Sequence, residues 1–175
     1  MASAGGIARN PSNAVLHIQH LSVHDMTFQA KEKAVPILAT IARIEKKSFP
    51  ATEALDFSTS ILKKANTRIL FVVNQSAPLS AVAYCVCVRH RRTILLHKIC
   101  VAERFRGQGI GKLLMDQILK RAELEGCDDL ELWVDECRMP ARNLYARSGF
   151  EERCRVKGYY GPGRTGIKMI AHFSR

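Results

Sequence analysis

The chain has 175 residues, of which 47% are apolar and 25% charged, with a net charge of +11. These values describe one globular domain long enough to bury a core, and no apolar run approaches the length of a membrane-spanning helix. The six cysteines (85, 87, 100, 127, 137 and 154) include no C-x-x-C pair, so free buried thiols in a reducing cytoplasmic or nuclear setting are expected, with no disulfide scaffold and no metal site.

Residues 1–13 are small and polar, lack the apolar stretch of a secretory signal, and read as a flexible N-terminus ahead of a domain over 14–175. Alternation over residues 15–21 predicts a first strand, with His17, His20 and His24 at the surface or a sheet edge. Ile37, Leu38, Ile41 and Ile44 fall on one helical face. Pro36 suits the first turn of that helix, which ends at Ser48-Phe49-Pro50. A second helix is expected from Thr52, an N-cap residue, to about Lys64. Strands follow over 68–74, 79–88 and 93–101, the last two joined by the basic tip Arg89-His90-Arg91-Arg92, which reads as a solvated turn. A helix over 110–125 buries Ile110, Leu113, Leu114, Ile118 and Ala122 and stops at Gly126. Then come a strand over 129–136, a short helix over 140–148, a strand over 153–157, a turn over 159–164 and a last strand over 165–173. The order β-α-α-β-β-β-α-β-α-β-β predicts an α/β domain, a mixed sheet with helices on both faces.

The stretch Arg104-Phe105-Arg106-Gly107-Gln108-Gly109-Ile110-Gly111-Lys112 joins a strand to a helix. Glycines there allow close backbone approach and φ values other residues avoid. The first N–H groups of the helix lack intrahelical partners and, with its dipole, form an anion cradle. Arg104, Arg106 and Lys112 add charge, so a phosphate-bearing ligand is expected. The P-loop pattern fails because Leu113 follows Lys112 and Arg106 occupies its first glycine position; G-x-G-x-x-G fails at Lys112 or at Leu114. Arg106-x-x-Gly109-x-Gly111 instead resembles the pyrophosphate loop of the GNAT superfamily of coenzyme A-dependent N-acyltransferases. The element order matches that fold, as do Asn143-Leu144-Tyr145 in the short helix and the Tyr159-Tyr160 turn.

The resemblance implies a metal-free enzyme that takes acetyl-coenzyme A as donor and transfers the acetyl group to an amine by direct attack in a ternary complex. It implies cofactor contacts from Arg106, Gly107, Gln108, Gly109, Ile110, Gly111, Lys112 and Asn143. The pantetheine arm would run beside Ile99, Cys100 and Val101, where the strands splay. Tyr145 matches the family's general acid. An amine with a free pKa of roughly 10 must also lose a proton before it attacks. His97 stands where arylalkylamine acyltransferases carry a catalytic histidine, and Glu45, near the end of the first helix, is the competing base. Without the resemblance, Tyr145 reads as a packed core ring, His97 as a structural strand residue, and Glu45 as a solvated carboxylate.

The end from Gly158 to Met169 resembles the Tyr-Tyr turn of protein N-terminal and ribosomal-protein alanine acetyltransferases. This implies that Tyr159 and Tyr160 wall a peptide slot, with Phe49 and Pro50 opposite. Three positions depart from that subgroup: Thr165-Gly166 replaces Asp-Ala, Trp133 replaces histidine or a small residue, and Arg138 replaces the asparagine opening the short helix. Trp133 would narrow the slot or stack on an aromatic amine. The expected acceptor is a protein or peptide α-amine; a small arylalkylamine or polyamine is the alternative. The basic charge suits an anionic cofactor, a ribosome-associated enzyme or, in a different class, a non-catalytic module that binds RNA.

Overall fold

The computed structural model describes residues 18–173, so the N-terminal stretch, the start of the expected first strand and His17 lie outside the described residues. The elements are β1 (Leu21–Asp25), α1 (Lys31–Ser48), β2 (Thr67–Asn74), β3 (Ala77–His90), β4 (Thr93–Val101), α2 (Ile110–Leu124), β5 (Asp129–Asp135), α3 (Met139–Arg147), β6 (Glu151–Val156) and β7 (Gly166–His172). The seven strands lie in the order β1-β2-β3-β4-β5-β7-β6. Only β4 and β5 run parallel.

Two cores result, one on each face of the sheet. On one face Ile37, Leu38 and Ile41 of α1 pack on Phe71, Val73, Tyr84 and Val86. On the other, Ile110, Leu114, Met115, Ile118 and Ala122 of α2 pack on Leu70, Val72, Leu96, Leu130 and Leu132. Residues 69–73 of β2 are therefore all buried, as expected of a central strand covered on both sides. On α2 Met115 is fully buried and Leu113 only partly so.

Four expectations are corrected. The first strand begins at Leu21, not at residue 15, and Ile18–His20 form a 3₁₀ turn. Its register is set by antiparallel pairing with β2, and His24 stacks on Phe71 at 5.6 Å. Pro36 sits one turn inside α1, which already starts at Lys31. The second helix does not form; only Thr59–Lys63 make a 3₁₀ turn. The cause is long-range, because side chains from α1 and β4 take backbone groups a helix would need. The Leu55 N–H donates to Glu45 Oε1 at 2.8 Å, and the Glu53 carbonyl accepts from Lys98 Nζ at 2.6 Å. Two of the six cysteines, Cys137 and Cys154, are exposed.

Asp25 ties three elements together. Its buried carboxylate accepts from the Thr27 N–H at 2.9 Å and pairs with Arg121 of α2 and Arg68 of β2. Both arginines reach solvent, so Asp25→Ala is expected to cost about 2 kcal/mol, less than breaking a fully buried pair. Urea denaturation checks this: an unchanged midpoint would show the tie to be dispensable.

Candidate active site

The site begins where β4 leaves β5. Their pairing covers only Thr93–Leu96 against Asp129–Leu132, whereas β3 stays paired with β4 up to Val101. At the point of departure the register with β3 shifts: Cys87 opposes Leu96 and Val86 opposes Lys98, which leaves His97 as an unpaired bulge residue. A bulge residue reverses the facing of everything after it. Ile94 and Leu96 face the α2 core before it, whereas Ile99 and Val101 pack on that core after it. Lys98 and Cys100 accordingly turn toward α1.

Beyond β4 the chain enters the glycine turn. Gly109 has φ +78° and caps α2 without a side-chain hydrogen bond, and no acidic residue stands in the first turn of that helix. The first N–H groups thus face no local carboxylate. Ile110 is buried, while Arg104, Arg106, Gly107 and Lys112 are exposed. Arg106 turns back, donating from Nε to the Val101 carbonyl at 3.0 Å and reaching Ser48 Oγ at 3.3 Å. Lys112 pairs with Asp116 at 2.8 Å, and Gln108 reaches the Arg104 carbonyl. An uncapped helix start flanked by cations fits a pyrophosphate group. Asn143 is exposed on α3.

The other half of the site is a charge cluster between the loop after α1 and the β6–β7 turn. Lys98 Nζ donates to Glu45 Oε1 at 2.8 Å and lies 3.8 Å from the Phe49 ring centre. Glu53 pairs with Arg164 and, at 3.7 Å, with Arg138, whose guanidinium lies over Phe49. Arg164 also donates to Asp135 Oδ2 at 2.7 Å and stands 5.3 Å from the Tyr160 ring. Burial alone would raise the Asp135 pKa, but the Cys137 N–H and the Arg164 guanidinium hold it below the usual range. Pro50 is exposed beside Phe49. Glu45 is not a solvated carboxylate: it is buried, and its second oxygen has no hydrogen-bond partner among the described residues.

Tyr145 is buried beside Phe150, within electrostatic range of Tyr160, Arg138 and Cys100, and burial pushes its hydroxyl pKa well up. Burial and the neighbouring Tyr159 raise Tyr160 to about 12. His97 is exposed, and its pKa is lowered first by partial desolvation and then by the Lys98 charge. Trp133 stacks on Tyr159 with ring centres 4.2 Å apart and planes 10° from parallel, so one face of the indole is already taken. Tyr160 meets Tyr159 edge-on at 4.9 Å. The stack explains the Thr165-Gly166 departure: a Cβ on Gly166 would stand 2.7 Å from the Tyr159 ring.

The sequence reading had named Phe49, Pro50, Trp133, Tyr145, Tyr159 and Tyr160, and the fold gathers Phe49, Tyr145 and Tyr160 around this cluster. It had missed Lys98, Glu53, Asp135 and Arg164. A lysine within the apolar run of β4 was the one available signal for Lys98; the others meet only through the fold.

The model of the acetyltransferase (GNAT) family matches residues 38–150. The chain belongs to this family. Acetyl-coenzyme A is the donor that family uses. An uncharacterized N-acetyltransferase of Methanocaldococcus jannaschii is 38% identical over 72 residues, 41% of this chain and 32% of that protein. An N-alpha-acetyltransferase of Sulfurisphaera tokodaii is 34% identical over 74 residues, 42% of this chain and 44% of that one. The chain thus spans less than half the length of these relatives. Among solved structures, the Escherichia coli ribosomal-protein alanine N-acetyltransferase shares the fold at TM-score 0.72 and 18% identity, covering 89% of this chain and 95% of that one. A chain of the NatC complex bound to Gag peptide and coenzyme A does so at TM-score 0.73 and 20% identity, with 89% and 99% covered.

Trp133 is the single tryptophan of the chain, so its fluorescence reports the stack. Gly166→Ala is expected to lift Tyr159 off the indole and shift the emission, while coenzyme A affinity stays within about twofold. Unchanged emission would mean that the ring does not rest on Gly166.

Proposed function

We propose that this GNAT enzyme acetylates the α-amine of a peptide or protein. The carrying observation is the joining of two walls near Tyr145: the loop bearing Phe49 and Glu53, and the turn bearing Tyr159, Tyr160 and Arg164, linked through Glu53 and Arg164. The similar solved structures include N-terminal acetyltransferases, one of them bound to a peptide and coenzyme A, which supports the reading.

When bound, acetyl-coenzyme A supplies an acetyl thioester, the activated acyl group. The N–H groups of residues 106–111 would hold its phosphates, with Lys112 and Asn143 nearby, and the edge of β4 at Ile99, Cys100 and Val101 would hold the arm. Tyr145 keeps its proton on Oη across the physiological range and is suited to donate it. His97, with its lowered pKa, stays neutral at pH 7 and is suited to accept a proton from the acceptor nitrogen. We assign the base role to His97 over Glu45, whose carboxylate is buried and engaged by Leu55 and Lys98. Burial also raises the Cys100 thiol pKa, which keeps it a poor nucleophile and favours direct attack by the amine.

The weakness of the base bears on the acceptor. An α-amine has a pKa of about 7.7–8.0, against about 10.4 for a lysine side chain. A base below the ordinary imidazole range is a modest mismatch for the first and a severe one for the second. The occupied face of Trp133 also leaves less room for an aromatic amine to stack there.

Thiol release is measured with peptides of different first residues, tryptamine and spermidine. Peptide turnover is expected, and turnover of the amines alone would sink the assignment. Tyr145→Phe is expected to lower kcat by about 10²–10³-fold; an undiminished kcat would remove its role as acid. In the wild type kcat should fall only as pH drops below 6.5, because a depressed pKa shifts protonation of the base to lower pH. His97→Gln should abolish that limb, and a limb that survives would exclude His97 as the base.

A further inference from the structure

The end of the sheet remote from the glycine turn holds a cavity of about 510 Å³. It shares no lining residue with the proposed active site. Its apolar lining comes from both sides of the sheet edge, with Ile61 and Ile69 on the α1 face, Ile94 and Ile118 on the α2 face, and Leu62 beside Ile61. The strand edge there is open, because β1 stops opposite Leu70 and leaves Thr67, Arg68 and Ile69 without a partner on that side.

The polar lining is strongly cationic. Lys31, Lys64, Arg68, Arg89 and Arg121 line the cavity, and Glu125 is the one carboxylate among the lining residues. Asp25 supports the arginines from behind. Glu125 is shared by Arg68 and Arg89, and Asp25 by Arg68 and Arg121. Two carboxylates thus serve three guanidiniums. Lys31 and Lys64 form no salt bridge among the described residues, and Asp56 acts on Lys64 only at longer range. A cavity of this size with an apolar lining and excess positive charge has the build of a small-molecule site.

We infer that this cavity is a second ligand site, separate from the acetyl-transfer cleft, that takes a small amphipathic anion: an apolar body carrying one carboxylate, sulfonate or phosphate group. The apolar body lies against Ile61, Leu62 and Ile69. The anionic group meets Lys31 and Lys64, which are not committed to the arginine–carboxylate network and so can turn toward it without exposing Asp25.

The probe is anilinonaphthalene sulfonate, titrated by fluorescence into the full chain, first alone and then with saturating coenzyme A. The neutral phenylnaphthylamine serves as the uncharged control. One saturable site per chain is expected. Lys31→Glu combined with Lys64→Glu should weaken sulfonate binding about tenfold, roughly 1.4 kcal/mol, and leave the neutral probe unaffected. Both replacements lie on the surface, and circular dichroism checks that the fold is kept. Thr67→Trp, which fills the mouth, should abolish binding of both probes. Equal affinity in the charge-reversed variant, displacement of the probe by coenzyme A, or the lack of a saturable site would each overturn the inference. So would displacement by polyuridylate with a steep salt dependence, since that would assign these lysines to a polyanion surface.

Discussion

The constraint on which the site depends is the parting of β4 from β5 after Leu96, made at the same residue where β4 bulges against β3. A parallel pair that stops halfway along a strand leaves backbone groups facing a gap, and they must be satisfied by water, a side chain or a ligand. Here Arg106 takes one of them, the Val101 carbonyl. The bulge also decides which side chains meet the gap. Without it Lys98 would point into the α2 core among Leu114 and Leu132, where a lone ammonium could not be accommodated. With it, Lys98 reaches Glu45 and the loop carrying Glu53.

That loop is anchored in the core by Phe49, Leu55 and Phe57, and between them its shape is held by charge. Glu45 and Lys98 fix its backbone from below, and Arg138 and Arg164 hold Glu53 from the side. Buried ion pairs of this kind add little net stability over apolar packing, because desolvation offsets most of the attraction. Their usefulness is geometric, since charged hydrogen bonds fix direction as well as distance. Glu45 therefore makes more sense as the residue that holds this loop against Lys98 than as a proton acceptor.

Local chemistry was legible in the sequence and long-range chemistry was not. The glycine turn could be read because its meaning lies in nine consecutive residues whose glycines and cations act on one helix end. The strands from β2 to β5 could be read because their apolar runs are bounded by turn residues. The expected helix after Thr52 failed because its backbone partners, Glu45 and Lys98, lie far away in sequence. The bulge at His97 was equally hidden, since Leu-His-Lys-Ile-Cys-Val alternates acceptably in either register. Gly166 is the instructive middle case. Its departure from the subgroup pattern was visible, but the reason, a tyrosine ring lying where a Cβ would stand, needed the fold.

Trp133, Tyr159 and Gly166 then act as one unit. A large indole on β5 points to the α1 face of the sheet, beyond the strands β3 and β4 that α1 packs on, and would leave an apolar face exposed there. Tyr159 covers that face by lying parallel to it, and only glycine on β7 leaves space for the tyrosine to do so. An ordinary alanine at that position would hold the ring away and leave the indole open. The three departures from the subgroup are therefore not independent losses of a motif. Trp133 and Gly166 compensate each other through Tyr159, and Arg138 fills its place by clasping Phe49 and Glu53.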